Sequence, residues 1–304
     1  MKRWILAAAA LLLLFGCSAK SPAPTPSEPQ EPPAQEQPDY DAADPPTSSQ
    51  DLSEPSVRSY LDRLVEDTAS ELTTPDMTEF EKAKAAFDYM IENTVFDAPI
   101  GLELWRVRAD GEEAPTFVEQ RALSPLRFGV GMCEDYAAAL ALLLQGLGLE
   151  AEYVPGLTYS LQGNLVDHAW TMVKVDGVWY HLDSQLEDNV SRNGAIRYRY
   201  FMKSDASMAR SHVWGQSLIG SGLLTPEQNA EIEENFLAPS CPQDYPTPPE
   251  HVLAEAPAPN LSALKQRVRE ELAAYESEHG ALPPMEPSAP PLFGLAGFGP
   301  EDEG

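Results

Sequence analysis

Proline cannot donate a backbone hydrogen bond and breaks helix interiors, so its placement bounds where this chain can build regular structure. Of 29 prolines in 304 residues, nine fall in residues 18–50 and only six in 56–238. The first stretch mixes proline with Ser, Gln, Glu and Asp. It cannot bury enough apolar surface to order itself and is expected to act as an extended spacer. Residues 281–304 are also rich in Pro and Gly, end in Glu301-Asp302-Glu303-Gly304, and read as a disordered tail. Residues 239–260 read as irregular for the same reason. The expected division is therefore 1–16 signal peptide, 17–52 modified Cys17 and linker, 53–238 folded domain, 239–280 irregular segment and C-terminal helix, and 281–304 tail. No internal repeat is visible.

The formal net charge is −28. A chain this acidic repels phosphate backbones, which excludes nucleic-acid binding as a main function. Met1-Lys2-Arg3 is a short basic start, and Trp4 to Phe15 is an apolar run of signal-peptide proportions, too short for a comfortable membrane span. The run ends Leu14-Phe15-Gly16-Cys17. That ending resembles the lipobox of bacterial lipoproteins, and the resemblance implies diacylglyceryl modification of Cys17. Two acyl chains anchor a protein stably, so the expected location is the extracytoplasmic face of the cell membrane. Two other cysteines remain, Cys133 and Cys241. They could pair, because that compartment permits disulfides, or they could have separate fates.

Within the folded stretch, Val57, Leu61, Leu64 and Val65 follow a helical period. A second helix is expected to begin near Asp76, with Glu79 completing a capping box, and to bury Phe80, Ala83, Phe87, Met90 and Ile91. Residues 95–125 lack clear periodicity and read as a long loop with short pieces of structure. A strong helix is expected from about Cys133 to Leu147, closed by Gly146 and Gly148. Residues 150–200 read as strands. A last helix, about Ala263 to Ser277, carries Leu264, Val268, Leu272 and Tyr275 and is expected to pack on the domain.

Cys133 follows two glycines and opens a helix. The first turn of a helix presents unpaired N–H groups and partial positive charge, which favour a reactive thiolate and can hold an oxyanion. A small buried hydrophobe is the alternative reading, and Glu134 and Asp135 count against a thiolate. Val166 to Val175 reads as a strand, Asp176-Gly177 as a hairpin turn, and Val178 to Asp183 as the returning strand. With a two-residue turn, Val175 pairs with Val178, Met172 with His181, Trp170 with Asp183, and His168 with Gln185. His168 and Asp183 then share a face as diagonal neighbours, about 7–8 Å between Cβ atoms and within side-chain reach. That is the base and orienter of a nucleophilic triad. His181 is the local rival. His212, His251 and His279 have no comparable setting.

Gly131-Met132-Cys133 with Tyr136, then His168-Ala169-Trp170, then Trp179-Tyr180-His181-Leu182-Asp183, resembles the core of the transglutaminase-like superfamily over about residues 80–187. Tyr200 to Asp205 with His212-Val213-Trp214 resembles a following segment found in bacterial lipoprotein members. The resemblance implies an α+β, papain-like fold in which the nucleophile helix packs on an antiparallel sheet. It implies Cys133 as nucleophile, His168 as general base and acid, and Asp183 as orienter. It also implies attack on an amide carbonyl to give a thioester, followed by hydrolysis or transfer to an amine. Asp135 departs from the glycine that many members carry before the aromatic residue, which affects the shape expected of the acyl pocket.

No cofactor is called for. No Cys or His pair stands at metal-ligand spacing, and Gly129 to Gly131 lacks the Lys-Ser/Thr of a phosphate loop. Trp170 and Tyr136 are candidates for the substrate cleft, with hydrophobic core as the alternative. The expected partners are a protein or cell-wall peptide substrate and, through Cys17, the membrane. Three readings stand: a cysteine enzyme, an inactive binding module that keeps the fold, and a protein whose Cys133 and Cys241 form a disulfide.

Overall fold

Capping chemistry sets where the first helices begin. In the computed structural model, which describes residues 57–99, 115–160, 163–190, 195–246 and 261–280, α1 spans Val57–Leu72 and α2 spans Glu79–Asn93. The α2 cap is Thr78, whose Oγ1 accepts the Glu81 N–H while the Glu81 carboxylate accepts the Thr78 N–H. This corrects the expected box by two residues. Asp76 is already bound to Thr74 Oγ1 in the preceding turn, so the next threonine takes the cap. As expected, α2 buries Phe80, Ala83, Phe87, Met90 and Ile91.

The two-residue strand β1, Val95–Phe96, pairs in parallel with β2, Val130–Gly131. Between them, α3 (Phe117–Phe128) overturns part of the loop expected over 95–125. Its Thr116/Glu119 capping box starts it. Pro125 lies near the far end, and Gly129 closes it at φ 67°, a left-handed conformation suited to glycine. The middle of the expected loop lies outside the described residues. So do the signal peptide, Cys17, the linker, the C-terminal tail, His251 and the Val57, Leu264, Leu272, Tyr275 and His279 side chains.

The central helix α4 spans Cys133–Gly146. The strands β3 (Ala151–Tyr159), β4 (Leu165–Val175) and β5 (Val178–Leu182) follow. Asp176 and Gly177, at φ 51° and 79°, make the tight turn between β4 and β5 that the sequence predicts. The register also agrees, with Val175 opposite Val178 and Met172 opposite His181. It stops at Thr171 opposite Leu182. The predicted pairs Trp170–Asp183 and His168–Gln185 do not form, because the chain turns into α5 (Ser184–Val190). Asp183 caps that helix, its Oδ1 accepting the Leu186 N–H at 3.0 Å.

Beyond α5, α6 (Asp205–Met208) leads into β6 (His212–Trp214), giving an antiparallel sheet in the order β5-β4-β3-β6. Then come α7 (Gly215–Ile219), α8 (Pro226–Asn235) and α9 (Leu261–His279). The last is longer than expected and meets the domain through Arg267, which donates to Asn93 Oδ1 and to the Asn93 carbonyl. Among the described residues no helix is long and apolar enough to cross a membrane.

Period two divides the sheet's side chains. Ala169 and Val173, with Tyr180 and Leu182, join Tyr136, Ala139, Leu140 and Leu143 of α4 in the main core. Thr171, on the same face, donates its hydroxyl to the Ala137 carbonyl. Trp170 and Met172 point to the other face and bury against Val154, Met208 and Cys241. Cys133 and Cys241 are both free and buried, so the disulfide reading does not hold here.

Gly156 lies between His168 and Trp214 across the sheet. A Cβ there would come within 2.6 Å of both Trp170 Cη2 and the Val213 carbonyl oxygen. The carbonyl is backbone and cannot swing away. Gly156→Ala is expected to destabilise the domain by about 1–3 kcal/mol, the usual cost of overpacking. Urea unfolding checks this; a change under about 0.5 kcal/mol, the size of an ordinary surface substitution, would show that the sheet has slack at this point.

Candidate active site

The three residues singled out from sequence come from three different elements. Cys133 opens α4, His168 lies on β4, and Asp183 follows β5 and caps α5. His168 Nε2 lies 2.6 Å from Asp183 Oδ2, with both residues buried. A carboxylate only accepts, so Nε2 carries a proton towards Asp183. Nδ1 is fully buried and has no partner at full hydrogen-bond geometry, while the Cys133 thiol adds a hydrogen-bonding contribution that raises the imidazole. A buried polar atom left unsatisfied costs about 1–3 kcal/mol, and here it is the one ring atom positioned to receive a proton. Burial pulls the His168 pKa down. The Asp183 charge and hydrogen bond, with a further contribution from Cys133, more than reverse this and push it up to about 10. Burial pulls Asp183 the other way, and His168 and His212 outweigh it to hold that carboxyl below the usual carboxylate range.

His212 corrects the sequence reading. It is buried, and its Nε2 lies 2.9 Å from the same Asp183 Oδ2. It arrives from β6, the far edge of the sheet, 29 residues from Asp183 in sequence, so no local spacing could reveal it. The Tyr200 to Trp214 resemblance was the only sequence signal that touched it.

His181, the rival, is occupied. The Trp170 Nε1–H donates to His181 Nδ1 at 2.9 Å. An indole only donates, so Nδ1 is an acceptor and Nε2–H faces Asp205 Oδ1 at 2.9 Å. Burial pulls its pKa down to about 4 despite Asp205. His181 is thus a neutral tie with no free lone pair. Asp205 in turn accepts the Cys241 N–H and the Ser240 hydroxyl, joining residues 240–241 to the sheet.

The acids after Cys133 are explained by Arg121, which the sequence reading missed. It is 5% exposed and pairs with both Glu134 and Asp135. Asp135 also folds back to accept the Met132 N–H at 2.8 Å. Its carboxyl is raised to about 6 by burial, against the pull of Arg121 and of that N–H. The side chain in the family's glycine position therefore points into the protein and secures the start of α4. Gly131 is matched to it, since a Cβ there would stand 2.6 Å from Asp135 Cβ. Nothing in the spacing of Arg121 announces this role, because it comes from the segment read as loop.

Of the two cleft candidates, Tyr136 is fully buried in the main core, its hydroxyl donating to Asp188 at 3.1 Å. Trp170 is also buried. Its ring is stacked near His168, at 6.0 Å between centroids, and lies edge-on to His212 at 4.7 Å. A groove of about 520 Å³ runs along α1 and the end of α4, and no triad residue lines it.

Among the described residues two clusters bring potential ligand atoms within 4.8 Å of one another, which sequence spacing did not show: His168, Asp183 and His212, and His181, Asp205 and Cys241. In both, each imidazole Nε2 lies against a carboxylate oxygen.

The ion pair predicts a pH window. Asp183 is depressed on folding, so its stabilisation is present above the free carboxylate value of about 3.9 and lost as pH falls. His168 is raised, so its stabilisation is complete below the free imidazole value of about 6.5 and lost as pH rises towards about 10. Asp183→Asn is expected to cost about 3–5 kcal/mol, with the largest loss between about pH 4 and 6.5 and a smaller one on either side. Paired urea titrations from acid to alkali measure this; a loss independent of pH would mean that the pair is not ionised.

Residues 66–184 match the model of the transglutaminase-like superfamily. No curated protein matches the sequence. Among solved structures, similarity is found to a candidate cysteine protease from Cytophaga hutchinsonii, at 19% identity and TM-score 0.30, covering 43% of this chain and 39% of that one. A structure described as a TGase gives 20% identity and TM-score 0.30, with 42% and 32% covered. A candidate protease from Parabacteroides distasonis gives 17% and 0.27, with 45% and 31% covered. The matches thus span well under half of each solved chain. Residues 66–184, which hold α4, the hairpin and the Asp183 that follows it, are thus the part of the chain that is similar to the transglutaminase-like superfamily.

Proposed function

We propose that this domain is a cysteine acyl-transfer enzyme that cleaves or exchanges amide bonds through a thioester at Cys133. The observation that carries the reading is the buried His168–Asp183 pair, which holds Nε2–H against Asp183 and leaves Nδ1 as the ring nitrogen able to exchange a proton with Cys133. His168 Nδ1 takes the Cys133 thiol proton, and the thiolate attacks a carboxamide or peptide carbonyl. The first-turn N–H groups of α4 meet the oxyanion. The intermediate collapses, the amine leaves with the proton from His168, and the acyl group stays on Cys133. Water or a second amine then gives up its proton to His168 and attacks the thioester, which restores the thiol. A peptidase and a cross-linking enzyme share every step but the last.

The reading extends to location. The lipobox-like Leu14-Phe15-Gly16-Cys17 supports a chain anchored through Cys17 outside the cytoplasm, where protein and cell-wall peptides are the available amides. An inactive binding module is the second reading, and an intact triad counts against it.

Cys133→Ala is expected to abolish covalent labelling by an acylating thiol probe, and His168→Ala to slow it by about 10²–10⁴-fold, the usual contribution of a general base. Intact-protein mass spectrometry reads both; labelling that persists in the Cys133 variant would overturn the assignment. For the anchor, cells producing the full chain and fed a clickable fatty acid are expected to label it, and Cys17→Ser to remove the label. Equal labelling of both forms would place the modification elsewhere.

A further inference from the structure

The shared Asp183 oxygen has a consequence for the base. Oδ2 receives two imidazole N–H groups, from His168 at 2.6 Å and from His212 at 2.9 Å. Oδ1 is taken by the Leu186 N–H, and the Asp183 backbone N–H donates to the Tyr200 carbonyl. The carboxylate is therefore held on all sides, and the hydrogen-bonding capacity of Oδ2 is divided between two rings. His212 is fixed in turn. Its Nδ1 meets the Ser211 hydroxyl at 2.8 Å, the Trp170 ring stands edge-on against it at 4.7 Å and the Tyr200 ring at 5.8 Å, and β6 pairs with β3 behind it.

We propose that His212 is a positioning residue for the acyl-transfer reaction, which weakens the grip of Asp183 on His168 by donating to the same oxygen. The inference rests on the function proposed above, because it matters most when His168 must both take and return a proton. An imidazole bound to an undivided buried carboxylate holds its proton tightly and is a poor acid towards the leaving amine. Sharing the oxygen moves His168 back towards a useful range while keeping its ring aligned.

The division works only while His212 stays neutral. The titratable groups that face it are Asp183 after β5, His168 on β4, His181 on β5, and Tyr200 from the segment before α6. Burial lowers the His212 pKa, with nearby His168 adding to this, and Asp183 only partly restores it. His212 is therefore uncharged where His168 is charged, and no second imidazolium forms beside the first at neutral pH.

Histidine-ring NMR of the full chain tests this, since the chain has only five histidines to assign. His212 is expected to show the Nε2–H tautomer at neutral pH, and His168 the same tautomer once it has titrated. In His212→Phe, which fills the space without donating, the His168 titration is expected to move up by about one unit, the size of one lost charge-assisted hydrogen bond. His212→Gln places an N–H where Nε2 stood and is expected to return the titration to within a few tenths of a unit of the parent. His212→Asn is too short to reach and is expected to behave like Phe. The His181 signal, held by Trp170 and Asp205, reports that the fold is intact. An unmoved His168 titration in a folded Phe variant would overturn the proposal. Should the Phe variant not fold, Gln and Asn variants that titrate alike would overturn it instead. The readout needs no turnover: a shift seen in a protein without acyl-transfer activity would uphold the positioning role and count against the proposed function.

Discussion

A carboxylate buried to 1% exposure is tolerated only if its oxygens are satisfied. Asp183 meets that condition by recruiting from four places at once. It takes His168 from β4, His212 from β6, the Leu186 N–H from α5, and it donates its own N–H to Tyr200. Each contact also fixes something else: the tautomer of the base, the end of β5, the start of α5, and the path of the chain that returns to the sheet. Glu187, one helical turn further on and also buried, accepts the N–H groups of Arg197 and Tyr200. Two buried acids thus organise the backbone around the site, and the imidazole geometry follows from them.

The same accounting applies at the nucleophile. An acidic chain with 20 Lys and Arg against 48 Asp and Glu has few cations to spare, yet one of them, Arg121, is committed to the interior beside Cys133. Glu134 and Asp135 would otherwise be uncompensated charges next to the Cys133 side chain. The pairing requires α3 to lie against the start of α4, which explains why a segment with weak hydrophobic periodicity is helical and well capped. Buried ion pairs of this kind contribute little net stability against an apolar alternative. Their effect is to fix where the chain starts its central helix.

Much of this was legible in the sequence because it depends on short-range rules. The Asp176-Gly177 turn sets the hairpin register as far as Leu182, and the next residue, Asp183, then lies within reach of His168. The period of α2 and the composition of α4 marked the core. The misreadings share a physical cause. Asp183 reads as strand because its role as a helix cap becomes visible only with the Leu186 N–H in place. His212 and Arg121 act through contacts with residues far away in sequence, which no local pattern records. Tyr136 and Trp170 were weighed as cleft walls because aromatic residues near a nucleophile look alike from sequence. Their burial follows from which side of α4 and of β4 they occupy.

The segment that matches the superfamily ends at residue 184, one residue beyond Asp183. Tyr200, whose carbonyl holds the Asp183 backbone, and His212, whose ring shares the Asp183 oxygen, both come later in the chain. A fragment cut at the boundary of the shared core would contain every residue of the triad and none of this outer support. The stretch from 195 to 214 therefore supplies contacts to Asp183 that the matched segment does not contain. Sequence change there would alter the surroundings of Asp183 without altering Cys133, His168 or Asp183.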